Sequence, residues 1–425
     1  MDENLQVEEQ TETKIVSEEV DSDKKQFLKG AISGALVMLL ICAIIGGTVA
    51  IIASSRNKTP IVSENDAEEE SIISDETIKK LEEIQAYIDQ FYLYPDKIDL
   101  DVLQDAIVKG YVNGLQEPYS VYYDADETRS LYETTSGTFG GIGVGIQMDL
   151  TSGLATFTTI YPDTPGEKGG FKVGDIVYKV NGEDISGMDL DTIVSKIRGE
   201  VGTEVELTVI RDGDEYTAKV TRALIENDTV NYELKSGKVG YIQVTGFEAV
   251  TYEQFKEALE DLNKQGMKSL VIDLRSNPGG NLSTVCQMCD LILPEGEVVS
   301  IKDKNGKGQS YTSNKETLLN VPLVVLVNGY SASASEIFAG AVQDFGVGTI
   351  VGTTTYGKGI VQNVYQLSDG TCLKITCSEY FTAKGRNIHG VGIKPDVEVE
   401  YKYDEANPTY DNQLEKALEL LKNKK

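Results

Sequence analysis

The segment VLVNGYSASASE, residues 325–336, sets three serines at the junction of an apolar run and a helical one. Shortly after it, YGKGIVQ (356–362) holds Lys358 between two glycines. A hydroxyl becomes a competent nucleophile when a neighbouring base takes its proton. The chain contains one histidine, His389, so a serine hydrolase built from these residues turns to a lysine base. A free lysine has a pKa of about 10.4 and is charged at neutral pH. Burial away from carboxylates depresses that value far enough for base chemistry. Tyr356, Gly357, Gly359, Ile360 and Val361 around Lys358 carry no charge. If the chain runs extended after Lys358, even offsets share a face. Gln362 then lies beside Lys358 and orients the amine without recharging it.

Ser333 and Glu336 form an S-x-x-E capping box, which by itself needs no catalytic reading. A helix N-terminus also favours developing negative charge, and the Ala334 N–H is placed to form half of an oxyanion hole. The octamer DLRSNPGG (273–280) stands between a strand pattern and a helix pattern. Its two glycines, Gly279 and Gly280, let backbone N–H groups approach a ligand and supply a second oxyanion donor. A competing motif overlaps the lysine: residues 352–358, GTTTYGK, match a phosphate-binding loop. Such a loop requires Ser or Thr next, and then a helix. Here Gly359 follows, then β-branched Ile360 and Val361, so both requirements fail.

The surrounding pattern supplies elements to position these residues. From 239 onward strands and helices alternate: strands near 239–244, 270–274, 322–327 and 348–351, helices near 252–264, 282–293 and 334–343. That rhythm predicts an α/β core of βαβ type. Residues 360–400 return to strands, and 412–421 predict a closing helix. Residues 138–223 alternate as strands near 155–160, 176–180, 204–210 and 216–220, with one helix at 190–197 and turns at Asn181-Gly182 and Asp212-Gly213. Helical periodicity from 76 and again over 103–115 predicts a small N-terminal helical module. The divisions expected are an acidic tail (1–29), an apolar segment (30–53), an acidic linker (54–75), the helical module (76–137), a mostly-β unit (138–223), the α/β core (224–401) and a C-terminal helical segment (402–425).

A net charge of −29 argues against a nucleic-acid partner, because phosphate binding needs basic surface. Residues 30–53 carry no charge and exceed the roughly 20 residues that cross a bilayer. Lys24, Lys25 and Lys29 precede them, a bias toward a cytoplasmic N-terminus. The expectation is one uncleaved transmembrane helix, with the rest outside the cytoplasm. Cys286 and Cys289 form a C-x-x-C inside an apolar helical run, which reads as buried thiols rather than a metal or redox site. The spacing leaves open whether they, or Cys372 and Cys377, pair.

Together SASASEIFAGAVQD, YGKGIVQ and DLRSNPGG resemble the C-terminal processing peptidases, or tail-specific proteases, from about residue 76 to the C-terminus. The resemblance implies Ser333 as nucleophile, Lys358 as base and Gln362 as the lysine's supporting residue. It implies Ala334 and one of Gly279 and Gly280 as oxyanion donors. The unit at 138–223 resembles a circularly permuted PDZ domain, whose GGIGVG segment (140–145) looks like the loop that takes a peptide's terminal carboxylate. Gly141, Ile142, Gly143 and Val144 are thereby peptide-binding, with the peptide adding as a strand. Arg198 matches a charged position that couples the PDZ unit to the core. The whole is then a membrane-anchored serine endopeptidase acting outside the cytoplasm through an acyl-enzyme, without metal or organic cofactor. Its partners are protein or peptide substrates held by their C-terminal tails, with two copies pairing through the helices of 76–115. A catalytically silent PDZ scaffold is the other reading, and the intact Ser333, Lys358 and Gln362 set argues against it.

Overall fold

The computed structural model describes residues 72–149 and 152–422. The apolar segment 30–53, with the tail and most of the linker around it, lies outside the described residues. Among the described residues no helix is long and apolar enough to cross a membrane.

The chain divides into two units, Met1–Lys97 and Ile98–Lys425. The described part of the first is the helix Asp75–Phe91 and a short 3-10 turn, Pro95–Lys97. Ser74 caps the helix by accepting the Thr77 N–H at 3.3 Å. None of the helix's residues is buried, and Ile78, Leu81, Ile84 and Tyr87 present an exposed apolar stripe. The helical module expected over 76–137 is therefore split. Its later helices, Leu100–Asn113 and Ala125–Ser136, belong to the second unit.

The second unit is organised by a six-stranded sheet in the order Val230–Lys235, Val239–Val244, Ser269–Asp273, Leu323–Val327, Gly348–Gly352, Val397–Glu398. Only the first pair is antiparallel. The strands SLVID and LVVLV are buried at every position, as central parallel strands covered on both faces must be. One face carries the helices Thr251–Lys264, Leu282–Asp290 and Ala334–Phe345 over a large core that includes Phe247, Phe255 and Phe338. The other carries the closing helix Asn412–Lys422, whose Ala417 and Leu421 pack with Val271, Val324, Leu326 and Val351. The C-terminal segment, read from the sequence as separate, is thus the second layer of this sheet. Leu282–Asp290 ends three residues short of the apolar run, at a turn through Leu291 to Leu293.

A second sheet was not legible as such. Cys372–Thr382 pairs with Val121–Tyr123, with Ile360–Gln366 and with Gly296–Asp303, which continues into Gly308–Ser313. Helix Ala125–Ser136 was also missed, because its sequence is polar and Thr128 is its one buried residue. Its signal was the capping box of Asp124 and Glu127.

The β unit follows the expected strands closely: Ala155–Ile160, Ile176–Val180, Glu204–Arg211 and Asp214–Thr221, with helix Leu190–Ile197. It has its own core around Phe157, Ile193, Val205 and Leu207. The chain enters it through Thr138–Gly141 and leaves through Ala223–Glu226, and these two strands pair with each other.

The four described cysteines are free thiols. Burial pushes Cys286 up to about 12 and Cys289 well above the ordinary thiol range, so neither is a reactive thiolate.

Leu326 is fully buried between the central strand and the closing helix. Leu326→Ala is expected to lower stability by about 2–5 kcal/mol, read as a lower urea midpoint; an unchanged midpoint would contradict the two-layer packing.

Candidate active site

Strand order brings the three motif segments together. Ser269–Asp273, Leu323–Val327 and Gly348–Gly352 are parallel neighbours, and each motif leaves the carboxyl end of one of them. The serine segment occupies the middle, with the glycine octamer on one side and the lysine segment on the other. The carboxyl edge of such a sheet is where loops converge on ligands.

The three serines differ in what their hydroxyls do. Ser331 Oγ donates to the Leu274 carbonyl at 2.8 Å, and Ser335 Oγ donates to the Asn277 carbonyl at 2.9 Å. Both are buried and bind the serine segment to the glycine octamer. Ser333 stands between them with its hydroxyl in neither tie. It has φ 54° and ψ −113°, a strained conformation for a residue with a Cβ. It precedes helix Ala334–Phe345, as a sharp strand-to-helix turn requires.

Glu336 holds this turn. It is fully buried and its carboxylate accepts four hydrogen bonds. Oε2 takes the Ser333 N–H and the Lys358 N–H, each at 2.8 Å. Oε1 takes the Gly357 N–H at 2.7 Å and the Thr355 hydroxyl at 2.6 Å. The Glu336 N–H itself donates to the Ser333 carbonyl oxygen at 2.8 Å. The expected capping box thus works mainly through the glutamate, which also clasps the lysine segment. These bonds dispose of the phosphate-loop reading as well: the N–H groups of Gly357 and Lys358 point at a carboxylate, and strand Ile360–Gln366 follows instead of a helix.

The glycine pair divides its roles. The Gly279 N–H donates to Asn277 Oδ1 at 2.8 Å, so this N–H is already engaged and Gly279 is corrected as an oxyanion donor. Among the described residues no hydrogen bond uses the N–H of Gly280 or of Ala334. Gly279 instead shapes the space: a Cβ there would lie 2.9 Å from Ser333 Cβ and 3.0 Å from the Ala334 nitrogen. Asn277, also fully buried, donates from Nδ2 to the Val244 carbonyl and fixes the octamer to the sheet. Tyr380 donates its hydroxyl to the Ser333 carbonyl at 3.2 Å; burial holds this phenol well above its ordinary range, so it stays a donor.

Lys358 is half-buried. Burial, then Lys374, pushes its amine below the ordinary lysine range, against the upward pull of Glu117 and Glu336. Its Nζ lies 4.2 Å from the centroid of the Tyr119 ring. The strand that carries Gln362 begins at Ile360, two residues beyond Lys358, and Gln362 stands opposite Thr376 across a bulge that adds Cys377 to the facing strand. Gln362 Nε2 donates to Thr376 Oγ1 at 3.1 Å. His389 Nδ1 accepts the Gly359 N–H at 3.3 Å, one residue beyond the lysine.

In the β unit, Gly141, Ile142, Gly143 and Val144 line one pocket of about 190 Å³ together with Val194, Ile197 and Arg198. The Arg198 guanidinium stacks 3.8 Å over the Phe139 ring and lies 3.9 Å from Glu133 on helix Ala125–Ser136. That helix contacts the residue just after the octamer, where Asn281 Nδ2 donates to the Thr135 carbonyl at 2.8 Å.

Two substitutions test this geometry. Glu336→Gln puts an NH2 group among N–H donors and is expected to destabilise by about 1–3 kcal/mol for each donor left unmet, seen as a lower melting temperature. Gly279→Ala is expected to abolish labelling of Ser333 by a fluorophosphonate while leaving far-UV circular dichroism intact; full labelling would show that the space beside Ser333 is not needed.

Residues 238–399 match the model of Peptidase family S41, and residues 156–211 match that of the PDZ domain. A probable CtpA-like serine protease of Staphylococcus aureus (strain N315) is 36% identical over 334 residues, 78% of this chain and 66% of that protein. The chain therefore spans just under two thirds of that relative's length. The carboxy-terminal processing protease CtpA of Bacillus subtilis (strain 168) is 36% identical over 325 residues, 75% of this chain and 69% of that protein. A solved photosystem II D1 C-terminal processing protease aligns with 82% of this chain and 98% of its own, at 29% identity and a TM-score of 0.46. With a peptidase core, a PDZ domain and this identity over most of its length, the chain belongs to the C-terminal processing peptidases of family S41.

Proposed function

We propose that the protein is a membrane-anchored serine endopeptidase that takes polypeptides by their C-terminal tails and cleaves them outside the cytoplasm. The observation that carries this reading is the singling out of Ser333 among three serines. Its neighbours' hydroxyls tie loops together, while Ser333 sits strained at the N-terminus of helix Ala334–Phe345 with Gly279 packed against it. In the proposed reaction the neutral Lys358 amine takes the Ser333 hydroxyl proton, and Oγ attacks the peptide carbonyl carbon. The carbonyl oxygen gathers negative charge and is met by the Ala334 and Gly280 N–H groups. The lysine ammonium then protonates the leaving amine, giving an acyl-enzyme. Water, deprotonated by Lys358, releases the acid and restores the serine. No step calls for a metal or organic cofactor.

Gly141, Ile142, Gly143 and Val144 form the proposed seat for the tail's carboxylate, with the extended tail adding beside Val144–Met148. Arg198, in contact with Phe139 in this pocket and with Glu133, is the proposed link from the occupied seat toward the octamer. Residues 30–53 provide the proposed anchor. The exposed stripe of Asp75–Phe91 supplies a surface through which two copies would pair.

The test is cleavage of an unstructured polypeptide by wild type, Ser333→Ala and Lys358→Ala. Both variants should lose nearly all activity, and equal cleavage by Ser333→Ala would end the peptidase reading. The pH dependence carries its own sign. The base must be neutral, so kcat should rise with pH. The depressed amine places the midpoint of that rise below the free-lysine value of about 10.4. A pH-independent kcat would remove Lys358 from the role of base.

A further inference from the structure

The surroundings of the Lys358 amine come largely from a distant part of the sequence. Strand Val121–Tyr123 pairs with Lys374, Leu373 and Cys372, and this sets the preceding turn, residues 117–120, against the strand Cys372–Thr382. The Glu117 carboxylate organises the turn. Oε1 accepts the Tyr119 N–H at 2.9 Å. Oε2 accepts the hydroxyls of Ser120 and Thr376, each at 2.7 Å. Ser120 Oγ in turn accepts the Thr376 N–H at 3.1 Å. Held in this way, Tyr119 carries the ring that faces Lys358 Nζ, and its hydroxyl donates to that of Tyr356 at 3.3 Å.

The same carboxylate imposes a direction on a second chain of bonds. An ionised carboxylate only accepts, and a threonine hydroxyl has one hydrogen to give. Thr376 gives it to Glu117 and so meets Gln362 as an acceptor. Gln362 must then offer its NH2, and Nε2 does donate to Thr376 Oγ1. In the planar amide the carbonyl oxygen occupies the other branch. One glutamate thereby decides which end of the Gln362 amide is turned away from Thr376.

We propose that Glu117 is a positioning residue for Lys358, acting through the Tyr119 ring and through Thr376 to aim the Gln362 carbonyl oxygen at the amine. The inference rests on Lys358 being the base. An acceptor on one side takes an amine N–H and leaves the lone pair for the Ser333 hydroxyl. Glu117 itself makes and breaks no covalent bond.

The charged groups around the amine are Glu117, Glu336 and Lys374. Tyr119, Tyr356 and His389 are its other titratable neighbours, and Glu379 stands opposite Ile360 in the strand ladder. Burial works against ionising Glu117, but the hydrogen bonds from Ser120, Thr376 and the backbone hold its carboxyl below the ordinary range. It is therefore an anion wherever the lysine is titrating. Its loss removes one of two charges that favour the ammonium, so the amine should become neutral at lower pH.

Glu117→Gln, Thr376→Val and the double variant, made in the full chain, test this with two readouts. One is kcat and KM against pH on an unstructured polypeptide. The other is competitive acetic anhydride labelling of Lys358 across pH, followed by mass spectrometry, which needs no peptidase activity. Each single variant should lose about tenfold or more in kcat with KM little changed. In Glu117→Gln the acidic limb of kcat and the labelling midpoint should both move to lower pH. The double variant should be no worse than the poorer single, since both break one relay. A folded Glu117→Gln with an unmoved labelling midpoint, or additive losses in the double variant, would overturn the proposal. Thr376→Val, close in shape to the native residue, keeps the test open if Glu117→Gln fails to fold. Should wild type cleave nothing while the labelling midpoint still shifts, Glu117 positions the amine and it is the base assignment that falls.

Discussion

The site depends on one buried negative charge. Taking a carboxylate out of water costs several kcal/mol unless its lone pairs are met, and Glu336 meets that demand with four donors drawn from two loops. Three of the four are backbone N–H groups, belonging to Ser333, Gly357 and Lys358. The serine loop and the lysine loop are therefore held to a common acceptor chiefly by their main chains, with the Thr355 hydroxyl the one side-chain donor. The strain at Ser333 is tolerable for the same reason: its N–H is satisfied only in the turned conformation, and the Ser333 carbonyl is held by Glu336, Ile337 and Tyr380.

A second set of ties fixes the glycine octamer with neutral groups. Asn277 reaches back to Val244 and forward to Gly279, while Ser331 and Ser335 lash the octamer to the serine segment. The repeated serines of SASAS thus do unlike jobs at equal spacing. The alternation places the outer two on buried carbonyls and the middle one on the turn. Parallel strand order then does the rest, because three adjacent strands deliver three loops to one edge of the sheet.

Much of this was legible in the sequence where the signal is local. The apolar runs of the central strands, the helix after Ser333 and the glycines of the octamer are all read from neighbours in the chain. The serine, the lysine and their motifs were found because residue type and short spacing carry them. What was not legible depends on contacts between distant residues. Nothing near Glu117 in sequence points to Thr376. The engagement of the Gly279 N–H required knowing where the Asn277 side chain turns. Gln362 pairs with Thr376 across a bulge that adds Cys377 to the facing strand, which no alternation rule foresees. Glu336 was seen as a cap and not as a clasp, since its two further partners lie on another loop. Helix Ala125–Ser136 escaped because a polar helix shows little hydrophobic period, although its cap was in plain view.

The ribbon formed by Thr138–Gly141 and Ala223–Glu226 has a wider meaning. The Asn227 N–H donates to the Gly137 carbonyl at 2.8 Å, so the chain leaves the PDZ domain beside the point where it entered. To the peptidase core the domain is a graft on a single stem: the scaffold would be closed by a short hairpin if the whole insert were absent. Lineages can lengthen, shorten or exchange such an insert without disturbing the sheet beneath it. The PDZ domain and the peptidase core are thus free to evolve at different tempos.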